Sequence, residues 1–317
     1  MKKNIDSFNL PKIGFGTFIG IELDRIEDAT LRHKTTVQTI INAFEIGYRH
    51  LDLASNYNNL AAVREALAMA FKPKSNGGLG LGRDELWLTM KGIDCEIMSI
   101  QDLLLMTGVT YFDLFLIHSP QPVFESPEVL EHAWKNLCTL HAQSCLHHLG
   151  VSNFYQPHLK ELLQLCDSNH LPKPYANQIQ LNVLIDEDEM IDYCAQHNIL
   201  VIAYSPLGYQ WSSYLSEHSA IANIAREIHA TPAQVALAWL LKQDITVIPK
   251  SMNQTRMLEN LQAPELIEKL TPAHMQILHD LSHEWGNNIA LNVTAVEAKQ
   301  HGEDLSWSLS QLRFNPK

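Results

Sequence analysis

The 317-residue chain is poor in basic residues. It has 23 lysines and arginines against 35 aspartates and glutamates, so its formal net charge is −12 and its pI is near 5.7. A surface that binds nucleic acid or an anionic membrane needs a clustered basic face, and this balance argues against both partners. Any bound polyanion must be met by a few local cations.

Long apolar runs and paired cysteines are also missing. No run approaches the length that spans a bilayer, and residues 1–14 lack the apolar core of an export signal. The five cysteines are scattered without a CxxC pair, which is typical of reduced thiols. We therefore expect a cytoplasmic protein without a membrane partner.

Common phosphate and metal motifs are absent as well. The glycine-rich segment 77–82 lacks both the GxGxxG spacing and a following GK[ST], so we interpret it as a flexible connector. Sixteen histidines are present, but no HExxH pattern accompanies them. We expect no metal site at their loose cluster, which comprises His132, His141, His147 and His148.

What the sequence does contain is a regular alternation of apolar strands and amphipathic helices. This order favours a parallel sheet, most simply closed as a single (β/α)8 TIM barrel, here residues 1–285 followed by a divergent tail, 286–317. The predicted strands are 10–18, 50–53, 85–90, 112–117, 149–151, 176–181, 200–204 and 246–248. The predicted helices are 37–46, capped by Thr36, and 60–71, 99–106, 127–141, 157–166, 187–197 and 232–241.

The most informative segment is 47–57, GYRHLDLASNY. It places Asp52 five residues ahead of Tyr57, where an apolar run gives way to polar residues, as at a strand end in a barrel mouth. Taken alone, this pattern is ambiguous, because an aspartate at a strand end commonly caps a loop and a tyrosine commonly packs.

The segment resembles the motif that ends the second barrel strand of the aldo-keto reductases. Two later segments resemble the same family. The segment ELWLTMK ends in Lys91, and the segment YFDLFLIHSP contains His118. Leu60 departs from the motif, which has a glutamate there. The resemblance covers roughly residues 10–281 and implies a catalytic tetrad, which is Asp52, Tyr57, Lys91 and His118.

The tetrad implies the reduction of a carbonyl group by a nicotinamide cofactor, with Tyr57 as the general acid. A free tyrosine titrates near ~10, and a buried ammonium at Lys91 is expected to lower that pKa. Asp52 would hold Lys91, and His118 would orient the carbonyl oxygen.

The cofactor implied by the resemblance is NADPH, without a Rossmann domain. The segment VIPKSMNQTRMLENL, 247–261, resembles the family's site for the adenosine 2′-phosphate, where two cations and a hydroxyl suit a monophosphate. Tyr204 would stack on the nicotinamide. The implied cofactor residues are Gly16, Thr17, Asp52, Ser152, Asn153, Gln178, Tyr204, Ser205, Leu207, Lys250, Ser251, Arg256, Glu259 and Asn260.

The substrate would be a small carbonyl compound that contacts Phe18, Tyr57, His118 and Ser119. Ser119 replaces a tryptophan common in the family, and residues 181–183 replace a frequent Tyr-His-Pro, so the usual aromatic slot is expected to be altered. We expect a monomer or weak homodimer.

The sequence leaves alternatives open. The tail 286–317 and a shortened interval after Lys91 fit an NADPH-binding regulatory or interaction protein on the same barrel, as in potassium-channel β-subunits. The complete tetrad argues for the reductase. A metal-dependent barrel hydrolase would need a carboxylate and histidine cluster at the strand ends, which the sequence does not suggest.

Overall fold

The computed structural model of the protein describes residues 10–19, 26–93, 95–123, 126–185, 187–209 and 212–289, with the side chains of all of these except 122 and 284–289. The predicted boundary between barrel and tail falls inside the last described helix, and residues 290–317 lie outside the described residues.

An eight-stranded parallel sheet forms the centre of the fold, with the strands in sequential order. The ends of the sheet meet where Ile13 pairs with Val247, and the backbone N–H of Gly16 donates to the Pro249 oxygen at 3.1 Å. This confirms the predicted (β/α)8 barrel. The strands are β1 Phe15–Gly16, β2 His50–Ala54, β3 Trp87–Gly92, β4 Phe112–Ile117, β5 Leu146–Ser152, β6 Ala176–Gln180, β7 Leu200–Tyr204 and β8 Thr246–Ile248.

Eleven α-helices are described, and most of them connect one strand to the next. None of these helices is both long and apolar enough to cross a bilayer. They are α1 Ala29–Ile46, α2 Leu60–Phe71, α3 Ile97–Thr107, α4 Pro127–Ala142, α5 Gln156–Asn169, α6 Asp188–Gln196, α7 Ser212–Glu217, α8 Ser219–Ile228, α9 Pro232–Lys242, α10 Gln254–Leu261 and α11 Pro272–Ile289.

The predicted start of α1 at Thr36 is wrong, because a stronger cap lies eight residues earlier. The Asp28 carboxylate accepts hydrogen bonds from the backbone N–H groups of Thr30 and Leu31. Thr36 instead donates its hydroxyl to the Arg32 carbonyl oxygen inside the helix. The predicted end of the helix is confirmed, since Gly47 has a φ of 121° that other residues rarely adopt.

The predicted third strand, 85–90, is displaced by two residues. Arg83–Glu85 forms a 3₁₀ turn that closes when Glu85 accepts a hydrogen bond from the Gly82 N–H, at 2.6 Å. The strand therefore begins at Trp87, and it includes Lys91 before it ends at Gly92.

The strands bury side chains on both faces, because helices cover the outside and the barrel closes on the inside. A large core lies between sheet and helices, and a smaller cluster fills the barrel interior. The inner residues include Leu116, Ala176 and Ile202. Since side chains alternate along a strand, the residues two positions further face the same interior: these are His118, Gln178 and Tyr204.

Trp134 provides a test of the outer core. It is fully buried on α4, and its indole N–H donates to the Pro172 oxygen at 2.9 Å. Trp134→Ala should lower the free energy of unfolding by about 3–5 kcal/mol, because it removes both the packing and the hydrogen bond. Urea denaturation followed by circular dichroism measures the change.

The matched control is Val129→Ala, which truncates an exposed residue of the same helix. It should change the free energy of unfolding by no more than about 0.5 kcal/mol. Equal losses in the two variants would contradict the packing that we describe around α4.

Candidate active site

The four tetrad residues come together at the carboxyl ends of β2, β3 and β4. Asp52 lies in β2 and Lys91 in β3, while His118 directly follows β4. Tyr57 closes a short 3₁₀ turn, Ser55–Tyr57, that continues from β2. Strand register alone places Lys91 beside Ala54, two residues beyond Asp52. Neighbouring strands and one turn thus bring together four residues that span 67 positions of the chain, from residue 52 to residue 118.

Asp52 is the centre of a buried hydrogen-bond network. Only 2% of Asp52 and 1% of Lys91 is accessible to solvent. The Lys91 ammonium donates to Asp52 Oδ1, and the Gln178 amide donates to Oδ2 at 2.7 Å. The Thr17 hydroxyl donates to the Asp52 backbone oxygen at 2.7 Å. Both carboxylate oxygens are therefore satisfied, as a buried charge requires.

The Lys91 side chain links Asp52 to Tyr57. Its Nζ lies 5.2 Å from the centre of the Tyr57 ring. Burial lowers the pKa of Lys91, but the charges of Asp52 and Tyr57 and the hydrogen bonds to both outweigh this effect, so its pKa stands above the usual value. Lys91 is therefore a cation in this site.

The pKa of Tyr57 moves in the direction opposite to the one expected from the sequence. Burial is the largest effect and raises the pKa of the phenol above its usual value. The charge of Lys91 and its hydrogen bond to Tyr57 do lower the pKa, as expected, but they only partly offset burial. The phenol therefore stays protonated at neutral pH.

His118 is a neutral imidazole in this environment. Burial lowers its pKa to about 3, and the nearby Lys91 charge acts in the same direction. Its ring packs edge-on against Tyr57 with a centroid separation of 6.1 Å. Its Nδ1 is buried without a hydrogen-bond partner among the described residues.

Phe18 and Asn59 fix the entrance beside Tyr57. The Phe18 ring lies 5.0 Å from the Tyr57 ring and is 45% exposed, as expected for a residue at the mouth. Asn59 donates its amide to the Thr17 carbonyl oxygen at 2.8 Å, which joins the turn to β1. Ser119, the other expected substrate contact, is buried.

Two of the expected cofactor segments follow β5 and β7 and are joined to each other. The Tyr204 hydroxyl donates to Asn153 Oδ1 at 2.9 Å, and the Asn153 amide donates to the His118 backbone oxygen at 3.0 Å. Asn153 and Ser205 both have positive φ angles, 62° and 49°. Left-handed backbone at non-glycine residues is costly and is concentrated at ligand sites. Ser152 donates its hydroxyl to the Gln178 backbone oxygen.

The third expected cofactor segment begins directly after β8. Asn253 caps α10 by accepting from the Arg256 N–H at 3.0 Å, and the Ser251 hydroxyl accepts from the Asn253 N–H at 3.1 Å. The side chain of Arg256 is exposed, while Asn260 is buried. An exposed guanidinium beside a capped helix start suits a phosphate group.

Several residues that hold the backbone or side chains around the site were not predicted from the sequence. Asn182 donates its amide to the Ser205 oxygen at 3.2 Å and accepts from the Leu184 N–H at 3.0 Å. A polar residue within the apolar run 181–185 was the available signal. Below the tetrad, Thr89 Oγ1 lies 2.9 Å from His50 Nε2 and accepts from the Trp87 indole at 3.1 Å.

These donors fit a nicotinamide dinucleotide. Tyr204, which is linked to His118 through Asn153, offers a ring for stacking. The left-handed residues Asn153 and Ser205 offer backbone groups, and the exposed Arg256 offers charge. The remaining expected contacts lie in the same connections: Gly16 ends β1, and Leu207, Lys250 and Glu259 follow β7 and β8.

Comparison with known proteins identifies the family of this chain. The family model described as the aldo/keto reductase family matches residues 12–283. The 9,11-endoperoxide prostaglandin H2 reductase of Trypanosoma cruzi is 29% identical over 285 residues, 88% of this chain and 90% of the relative. Methylglyoxal reductase DkgA of Yersinia pestis is 30% identical over 264 residues, 82% of this chain and 85% of the relative.

A solved structure has the same fold. The crystal structure of a Bombyx mori aldo-keto reductase (AKR2E4) in complex with NADP matches with a TM-score of 0.74 and 25% identity, covering 89% of this chain and 92% of the other. The family match extends over most of the chain and includes all four tetrad positions. This protein therefore belongs to the aldo/keto reductase family.

Proposed function

We propose that this protein reduces a small aldehyde or ketone to an alcohol with NADPH, and that Tyr57 donates the proton. The observation that carries the proposal is the buried network of Asp52, Lys91 and Tyr57, with His118 beside it. A barrel that only binds a nucleotide has no need to bury a lysine and an aspartate under a tyrosine, because such burial costs free energy.

Tyr57 is the proton donor in this reaction. A bound NADPH supplies the hydride to the carbonyl carbon. With a pKa that burial raises above its usual value, the Tyr57 phenol is protonated at neutral pH, so the proton is present before the reaction begins. As the phenol transfers its proton to the substrate oxygen, the Lys91 ammonium stabilises the negative charge that develops on Tyr57.

His118 positions the carbonyl oxygen. Because its pKa is lowered to about 3, the imidazole is neutral at physiological pH and carries one N–H. A neutral donor polarises the carbonyl without competing with Tyr57 for the role of acid. Asp52 holds Lys91 in place and balances its charge.

The preference for NADPH is assigned to the segment that follows β8. Arg256 is exposed and lies on α10, in the sequence pattern that resembles the family's 2′-phosphate site. Lys250 supplies a second cation in the same segment. The solved Bombyx mori relative is in complex with NADP, which supports this choice. The name of the Yersinia pestis relative, a methylglyoxal reductase, supports a small carbonyl substrate.

Tyr57→Phe tests the proton donor. The variant should lose at least about 100-fold in kcat with methylglyoxal and other aldehydes, because phenylalanine keeps the ring but has no proton to give. Its Kd for NADPH should be nearly unchanged. NADPH absorbance measures turnover, and quenching of tryptophan fluorescence measures binding.

The control is Tyr111→Phe, which also removes one hydroxyl. Tyr111 lies before β4 with Arg83 stacked over its ring at 3.8 Å, so the replacement keeps that contact. It should retain parental turnover. Substantial turnover by Tyr57→Phe would exclude Tyr57 as the acid. Tight NADPH binding by the parent protein without turnover on any carbonyl would instead favour the regulatory alternative.

Arg256→Ala tests the cofactor preference. Loss of one charged hydrogen-bond donor should raise the Kd for NADPH by about 10-fold to 100-fold. The Kd for NADH should change little, because NADH lacks the 2′-phosphate. Arg64→Ala, on α2, is the control and should affect neither cofactor. Equal weakening of NADPH and NADH by Arg256→Ala would show that the 2′-phosphate assignment is wrong.

His118→Asn tests the buried neutral imidazole through stability. Burial lowers the pKa of His118 from its usual 6.5 to about 3, so between these values the unfolded chain binds a proton that the folded chain does not. Stability contributed by the neutral ring is thus present above pH 6.5 and is lost as the pH falls toward 3. Replacement should reduce the loss of unfolding free energy between pH 7 and pH 5 by about 2 kcal/mol.

Urea denaturation at the two pH values measures this difference. His170→Asn is the control, because His170 is exposed and has a positive φ that asparagine accepts. The control should leave the pH dependence unchanged. An unchanged pH dependence in His118→Asn would mean that the His118 ring titrates in the folded protein as it does in the unfolded chain.

A further inference from the structure

Three side chains with metal-binding groups converge at the edge of the barrel, outside the tetrad. They are Asp188, His279 and His283. Asp188 Oδ2 lies 2.7 Å from His279 Nε2 and 3.5 Å from His283 Nε2, and the two imidazole nitrogens are 3.2 Å apart. All three side chains are partly exposed, by 38–42%.

The fold holds these groups on two helices that are far apart in the chain. His279 and His283 are four residues apart on α11, so their side chains project from the same face of that helix. Leu278 and Leu281 anchor α11 to the core. Asp188 is the first residue of α6, the helix that follows β6, so it lies at the carboxyl end of the strands, where the tetrad also lies.

The spacing matches the edges of a metal coordination sphere. Zinc binds imidazole nitrogen and carboxylate oxygen at about 2.0–2.2 Å, so two ligands of a tetrahedral site stand roughly 3.3 Å apart. The observed separations of 2.7, 3.2 and 3.5 Å lie around this value. Two Nε2 atoms that face each other at 3.2 Å cannot both carry a proton, so at least one lone pair points into the cluster.

Other histidine and carboxylate contacts in the described part of the chain do not share this arrangement. His33, His132 and His274 each pair with one glutamate. The loose cluster considered from the sequence does not form such a group, since His148 stacks on Trp87, His147 stacks on Tyr111 and His132 contacts Glu96. Among the described residues, Asp188, His279 and His283 form the group of three that can surround one ion.

We propose that Asp188, His279 and His283 form a binding site for a divalent transition-metal ion, with Zn²⁺ as the best match. Two imidazoles and one carboxylate suit zinc in ligand type and number, and the partial exposure of the site leaves a fourth position for water. This proposal departs from the sequence-based expectation of no metal site. It is independent of the proposed reductase activity.

The bound ion would fasten α11 to the start of α6. The connection from β6 to α6 includes Asn182, which holds the backbone of Ser205 beside the expected cofactor. The ion would therefore brace the rim of the barrel mouth without contacting the tetrad. Because the complete site exists only in the folded chain, binding should stabilise the folded state.

The test uses the full chain after treatment with a chelator. Titration calorimetry with Zn²⁺ should show one tight site, and Zn²⁺ at about 100 times its Kd should raise the Tm by about 5 °C. Co²⁺ provides a spectroscopic readout, because a four-coordinate site gives visible absorption that hexaaqua Co²⁺ lacks. Saturation of this absorption at one equivalent is the expected result.

His283→Gln should weaken Zn²⁺ binding by about 100-fold or more and abolish the Co²⁺ absorption, because it removes a ligand. Mutation of a residue that only supports a ligand already lowers metal affinity by about 10-fold to 100-fold, so loss of the ligand itself should cost at least as much. Asp188→Asn is the second variant, of nearly identical shape, and should weaken Zn²⁺ as well. The control is His132→Gln, at an exposed histidine that contacts one glutamate. It should bind both ions like the parent.

Two results would overturn the proposal. One is the absence of a tight 1:1 site in the parent chain, which would leave the cluster as a hydrogen-bonded contact between helices. The other is parental Zn²⁺ affinity in His283→Gln and Asp188→Asn, which would place the ion elsewhere. Since the readouts are binding and Tm, failure of the reductase assay does not affect this test.

Discussion

The buried ion pair of Lys91 and Asp52 is the interaction on which the site depends. Two charges removed from water are costly, and the pair is stable only if each group finds further partners. Gln178 satisfies the second carboxylate oxygen, and Thr17 holds the backbone of Asp52. Side chains from β3 and β6 therefore meet at one carboxylate of β2, and the residue after β1 holds its backbone, which explains why a closed barrel is needed to build the site.

Burial has opposite effects on the pKa values of the two groups that we propose face the substrate. Burial raises the pKa of Tyr57 and keeps a proton on its oxygen, while it lowers the pKa of His118 and removes the charge from its ring. One environment thus leaves a protonated phenol and a neutral imidazole side by side. Lys91 stays charged because Asp52 lies against it.

A second polar cluster, formed by Asp188, His279 and His283, lies at the rim of the barrel and differs from the tetrad in its setting. These three residues meet between two helices and remain partly exposed, whereas the ion pair of Asp52 and Lys91 lies on strands and is buried. The proposed metal binding is therefore separable from the proposed chemistry at Tyr57.

The sequence by itself determined the strand order and predicted the four residues that meet at the strand ends, because strand alternation and short motifs are local. The eighth strand, 246–248, was predicted with the bounds that the structure has. Tertiary structure decided the net pKa direction of Tyr57, which depends on how completely the barrel excludes water. It also decided that Gln178 binds Asp52 and that Asp188 meets His279, since these pairs are 126 and 91 residues apart and no sequence spacing specifies them.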